Sequence, residues 1–120
     1  MDEYLRKRAA SFRYAFTGLQ ELLKSTPNAV IHLIMAIIAI GLGFYFSINT
    51  SEWIAIIIVI GLVLSLEAIN TSIEGFADLI SREHNNDIKR IKDISAGAVL
   101  IAALAALVVG VLIFLPKFFN

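Results

Sequence analysis

Three apolar runs, Ala29 to Phe46, Trp53 to Ile73 and Ile94 to Leu115, dominate the chain. Each comes close to the length of about 20 residues that a helix needs to cross the hydrocarbon of a bilayer. With 58% hydrophobic residues among 120 and a mean hydropathy of +0.81, the chain is too apolar for an ordinary soluble domain and too short for more than one folding unit. The expected fold is an all-α membrane protein: a single membrane domain over 1–120, with membrane helices at about 29–47, 53–80 and 93–115.

The first 28 residues mix charges with isolated apolar side chains and hold no continuous apolar core ending in a cleavage site, so a mature N-terminus is expected. Within them Leu5, Ala9, Phe12, Phe16, Leu19 and Leu23 recur at steps of three and four, the seam of an amphipathic helix over 1–26. That helix is expected along the inner membrane surface, as an anchor with snorkelling Lys and Arg or as a contributor to a site. Pro27 separates it from the first span. Cysteine is absent, which excludes disulfides and thiolate-held metals.

Net charge is zero, but its distribution is informative. Arg6, Lys7, Arg8, Arg13 and Lys24 precede the first span, and Arg82, Lys89, Arg90 and Lys92 follow the second. The segment Ser47 to Glu52 has no basic residue, and Lys117 alone follows the third span. The positive-inside rule then puts the N-terminus and the loop Ser81 to Asp93 in the cytoplasm and the C-terminus outside. Trp53, Phe44 to Phe46 and Phe118 to Phe119 would form an outer aromatic belt. In the third span Ala98, Ala102, Ala106 and Gly110 make a smooth face for close helix contact, within one chain or between copies.

Glu67, Asn70, Glu74 and Asp78 interrupt or end the second apolar run. At about 100° per residue Glu67, Glu74 and Asp78 fall within roughly 20° of one line, with Asn70 about 60° aside. Glu67 lies roughly 20 Å along the helix from Trp53, inside the apolar layer, and Glu74 about 10.5 Å further, at the interface. The two carboxylates see different solvents: the deeper suits a base, the shallower a metal ligand. The following loop brings Glu83, His84 and Asn85, then Lys89, Arg90, Lys92 and Asp93, a set suited to a nucleotide with its divalent ion. The plainer alternative makes Lys92 a loop charge and Asp93 the cap opening the third helix. His84 reads as a solvated loop residue and His32 as an interfacial anchor. Neither a GxxxxGK[ST] nor a GxGxxG loop occurs.

Glu67-Ala68-Ile69-Asn70-Thr71-Ser72-Ile73-Glu74, then Asp78, then Lys92-Asp93 and Ala98-Val99-Leu100, resembles the signature of the small bacterial integral-membrane diacylglycerol kinases and their undecaprenol kinase relatives. The similarity includes Ser11-Phe12-Arg13-Tyr14-Ala15-Phe16 and covers nearly the whole chain. It implies a homotrimer in the bacterial inner membrane that passes the γ-phosphate of ATP to the hydroxyl of diacylglycerol or undecaprenol at the cytoplasmic interface. Glu67 then matches the general base and Glu74 the ligand of Mg2+. Tyr14, Glu83, Asn85, Lys92 and Asp93 match nucleotide-contacting positions, and Asn70 stands beside the catalytic glutamate. ATP and a membrane lipid are the implied partners, with no nucleic acid.

The chain departs from the family pattern at Thr26, where members usually carry a second metal-binding glutamate, and a neutral hydroxyl does not replace that charge. Glu21 is another carboxylate nearby in sequence. The loop histidine is shifted, giving Glu83-His84-Asn85, and the basic residue near the N-terminus is matched by Lys7 or Arg8. A different class, a proton-coupled transporter with Glu67 as carrier, needs a polar route through both leaflets. The outer halves of all three spans offer almost no polar side chains for one. A non-catalytic helper of a larger membrane complex would leave the polar stripe without a purpose.

Overall fold

The computed structural model describes all residues from Met1 to Asn120. Four helices follow one another: α1 (Asp2–Ser25), α2 (Pro27–Tyr45), α3 (Thr50–Ile80) and α4 (Asn86–Phe118). The last three are long and apolar enough to cross a membrane, so the chain is an all-α membrane protein of three spans with one further helix ahead of them.

Local chemistry sets each break. Thr26 is extended at φ −126° and ψ 101°, as the residue before a proline prefers, and Pro27 opens α2 where its missing N–H costs nothing. At the far end of α2, Ile48 N–H donates to the Gly43 carbonyl at 3.1 Å and Ser47 N–H to that of Phe44 at 3.3 Å. This pair of bonds is a Schellman closure, and it holds Ser47 in the left-handed region at φ 50°. Two residues later Asn49 and Glu52 exchange side-chain and backbone hydrogen bonds, a capping box that starts α3. Gly43 permits the tightness of this hairpin, because a Cβ there would lie 2.6 Å from the Trp53 ring.

A left-handed conformation costs a residue with a side chain roughly 1–2 kcal/mol. Ser47→Gly is therefore expected to stabilise the hairpin by about 1 kcal/mol, less the extra freedom glycine has when unfolded. Thermal unfolding followed by circular dichroism in lipid micelles measures this; a lower midpoint would mean that the serine side chain itself supports the turn.

α3 is the central helix, packed against α2 on one side and α4 on the other. Its most buried line is Ile56, Val63, Asn70 and Ala77, a seven-residue repeat, and α4 buries Ser95, Val99 and Ala102. Lipid tails are as apolar as leucine, so helices in a bilayer associate through close packing and polar contacts, which small residues favour. Ala29 and Ala102 are accordingly among the least exposed residues, at 0% and 1%. Near the hairpin Ile48, Ile56, Ile113 and Phe114 form an apolar cluster. Phe46 meets Phe118 there with ring centroids 5.0 Å apart, and Lys117 Nζ bonds Glu52 Oε2 at 2.7 Å. The lone basic residue after the third span thus neutralises the acid that begins α3.

α1 stands apart. Three helices side by side at 8–10 Å spacings fall well short of the 49 Å second dimension of the molecule, so α1 projects sideways from the bundle. Leu22 is its one buried residue; Leu5, Phe12, Phe16 and Leu19 are exposed.

The observed helix ends differ from the hydropathy limits. α4 starts at Asn86 rather than at 93, with Asn85 as its cap, accepting from the N–H groups of Asp87 and Ile88. Asp93 therefore lies inside α4, and the reading of it as the opening cap is corrected. The polar turns from Asn86 to Lys92 lower the hydropathy without disturbing helical hydrogen bonding. For the same reason α3 begins at Thr50, and α2 ends at Tyr45, two residues short of 47, because the Schellman closure stops it.

Candidate active site

α2 and α3 run antiparallel, and two polar contacts join them away from the hairpin. Thr26 Oγ1 lies 3.4 Å from Thr71 Oγ1. One turn back along α3 toward the hairpin, Glu67 is 2% exposed, and its Oε2 is 3.6 Å from His32 Nε2 on α2. Six residues separate Thr26 from His32 and four separate Thr71 from Glu67, so both contacts fall on one helix–helix seam. His32 therefore faces Glu67 across this seam, a contact that its reading as an interfacial anchor did not include. The position of a histidine within an apolar run says nothing about which side chain the neighbouring helix presents to it.

Asn70 is shut off from solvent next to this seam. Its Nδ2 donates to Glu74 Oε1 at 3.3 Å, while its Oδ1 has no hydrogen-bond partner. A buried amide oxygen without a partner is costly. Glu74 itself is exposed. Over seven residues the helix therefore passes from an acid enclosed by protein to one open to the surroundings, about 10.5 Å away along the axis.

At the next turn Asp78 bonds Lys92 Nζ at 2.6 Å, tying α3 to α4. On the exposed side of α4, Lys89 bonds Asp93 at 2.6 Å. Tyr14 is exposed on α1, with the Arg13 guanidinium 5.6 Å from its ring centre, and Glu83 is exposed in the loop with its N–H donating to Ser81 Oγ. Tyr14, Glu83 and Asn85 form no hydrogen bond or ion pair with the Glu67–Asn70–Glu74 group within one chain. Glu21 is exposed on α1, where its backbone carbonyl accepts from Ser25 Oγ.

Nowhere do three His, Cys, Asp or Glu side chains converge as a metal cage. Glu74 and the free amide oxygen of Asn70 are hard oxygen donors. They suit a magnesium ion that keeps water and nucleotide phosphates in its shell, since that ion is commonly held by only one or two carboxylates. The residues fit magnesium arriving with a nucleotide better than a resident ion.

An apolar cavity of about 460 Å³ lies along α3 between α2 and α4. It is lined from His32, beside Glu67, to Phe118 near the hairpin, with Ala103, Ala106 and Gly110 contributing from α4. Glu67 is thus enclosed beside the His32 end of an apolar cavity, with Glu74 exposed two turns on and Lys92 paired with Asp78 one turn beyond that.

Residues 13–114 match the family of prokaryotic diacylglycerol kinases. The chain is 38% identical over 107 residues to an undecaprenol kinase of Bacillus subtilis, covering 89% of this chain and 87% of that relative. It is 33% identical over 111 residues to a diacylglycerol kinase of Synechocystis, covering 92% of this chain but 63% of the longer relative. The chain belongs to the prokaryotic diacylglycerol kinase family, and with it to the multi-pass membrane lipid kinases. The transporter alternative finds no support among these relatives.

Proposed function

We propose that the protein transfers the γ-phosphate of ATP, bound with magnesium, to the hydroxyl of a membrane lipid at the cytoplasmic face of a bacterial inner membrane, with undecaprenol preferred to diacylglycerol. The observation that carries this is the change in exposure along α3, with Glu67 enclosed where the apolar cavity ends and Glu74 open two turns on. A lipid hydroxyl arrives laterally and ATP arrives from water, so the base belongs at the first position and the metal ligand at the second.

Glu67 takes the proton as the lipid oxygen attacks the γ-phosphorus. The bond from that phosphorus to the bridging oxygen breaks, and its electrons leave with ADP. Glu74, with Asn70 bonded to it, would hold the magnesium of the nucleotide, which would neutralise phosphate charge. Tyr14, Glu83, Asn85, Lys92 and Asp93 bind the nucleotide, and its phosphates displace Asp78 from Lys92, a cation held ready by that ion pair.

Two observations favour the polyprenol. The relative matched along most of its length is an undecaprenol kinase. The cavity is lined along α4 from Ala103 to Phe118, which at 1.5 Å per residue is about 22 Å, well into the second leaflet and suited to one long chain. Assembly follows from what one chain lacks. Only 15 of 120 residues are buried, the nucleotide-binding residues are dispersed, and no complete metal cage forms. The homotrimer implied by the family brings a neighbour's residues to each site, with α1 lying on the inner surface and the N-terminus cytoplasmic.

Purified protein in mixed micelles, supplied with radiolabelled Mg-ATP and each lipid in parallel, tests the assignment. Both lipids are expected to be phosphorylated, with the higher kcat/KM for undecaprenol. The reverse preference would overturn the acceptor, and transfer to neither would overturn the activity.

A further inference from the structure

Glu67 is enclosed, yet the one side chain within ion-pair reach of it is His32, itself 20% exposed. An ionised carboxylate in apolar surroundings needs a partner, and a general base with freely rotating oxygens is a poor one. Lys92, Lys89 and Lys117 are each paired with another acid. From α4 the residues that share the cavity with His32 are apolar, among them Ala103, Ala106 and Leu107. The contact with Glu67 is made through Nε2, the ring nitrogen farther from the backbone. His32 also lines the cavity at the end where Glu67 lies, so it touches both the base and the channel that would hold the acceptor's tail.

We infer that His32 is the positioning residue of this lipid kinase: its Nε2–H points at Glu67 Oε2 and turns the other carboxylate oxygen toward the lipid hydroxyl. The inference rests on the role of Glu67 as base. The separation of 3.6 Å is slightly longer than a hydrogen bond and closes with a small movement of α2 against α3 when the acceptor enters. The seam carries few large side chains near this point, with Ala29 and Ala36 flanking His32 on the buried face of α2, so the helices can make that adjustment.

Glutamine places an amide donor near the position of Nε2, whereas asparagine places one near Nδ1 and falls short of Glu67. His32→Ala is expected to lower kcat for the lipid roughly 10²-fold, the scale of a misplaced catalytic group, with KM for Mg-ATP within about twofold. His32→Gln should recover most of the lost kcat, and His32→Asn should resemble alanine. In a Glu67→Gln background, His32→Ala should cost little more, since the two act as one unit. Thermal midpoints of all variants identify any that fails to fold, and the Gln–Asn comparison remains decisive if the alanine variant does fail. Equal rates for Gln and Asn, an unchanged kcat in His32→Ala, or full additivity with Glu67→Gln would overturn the inference. Because wild-type turnover is measured alongside, lack of any transfer by the wild type would instead count against the kinase reading.

Discussion

Glu67→Gln is expected to reduce phosphate transfer to the lipid by roughly 10²- to 10⁴-fold, the range that general base catalysis commonly supplies. Glutamine has nearly the same shape, so the seam between α2 and α3 and the cavity beside it should persist. Mg-ATP binding should also persist, because the exposed Glu74 lies about 10.5 Å further along the helix. The variant should unfold at the same temperature as the wild type or higher, since a neutral amide is easier to enclose than a carboxylate. Turnover with saturating nucleotide, nucleotide affinity and thermal midpoint together separate loss of the base from loss of the fold. Undiminished turnover would remove Glu67 from the chemistry and leave its enclosure next to His32 unexplained.

The spans and the polar stripe were legible in the sequence because each depends on a period along a single helix. Glu67 and Asn70 stand out for a one-dimensional reason: they are polar residues in an apolar run. His32 was not legible in this way. Its importance comes from the register of α2 against α3, which is set by the hairpin from Phe46 to Asn49 and by Ala29 and Ala36 on the packed face of α2. Thr71 is a similar case, an ordinary helical threonine until Thr26 is found opposite it. In the sequence Lys117 is the one basic residue after the third apolar run, whereas its contact with Glu52 depends on α4 ending at the level where α3 begins.

Asn85, Lys92 and Asp93 show the opposite limit. The family resemblance assigns them to the nucleotide, but within one chain Asn85 caps α4, Lys92 holds Asp78 and Asp93 holds Lys89. Capping and ion pairing do not compete with a binding role in the same way. The cap uses the Asn85 side-chain oxygen, which is needed to start the helix, whereas an exposed ion pair such as Lys89–Asp93 contributes little stability and yields readily to phosphate.

Glu74→Gln is expected to act on the metal rather than on the proton. Glutamine still accepts the hydrogen bond from Asn70 Nδ2, so the local arrangement is kept while the negative charge is lost. The magnesium concentration for half-maximal rate and the KM for ATP should both rise by roughly 10- to 100-fold, the scale on which losing even an outer partner weakens a metal site. Thr26 makes the effect larger here than in a site with two carboxylates: where the family resemblance calls for a second acid, this chain has a hydroxyl turned toward Thr71. The other carboxylate on that seam, Glu67, is enclosed against His32 and is not placed to compensate. Titrating magnesium at fixed ATP, in the wild type and in Glu74→Gln, measures the shift. An unchanged magnesium dependence would move the ligand role to Asp78, the next carboxylate on the same face, and the Asp78–Lys92 ion pair would then have to open before the nucleotide could bind.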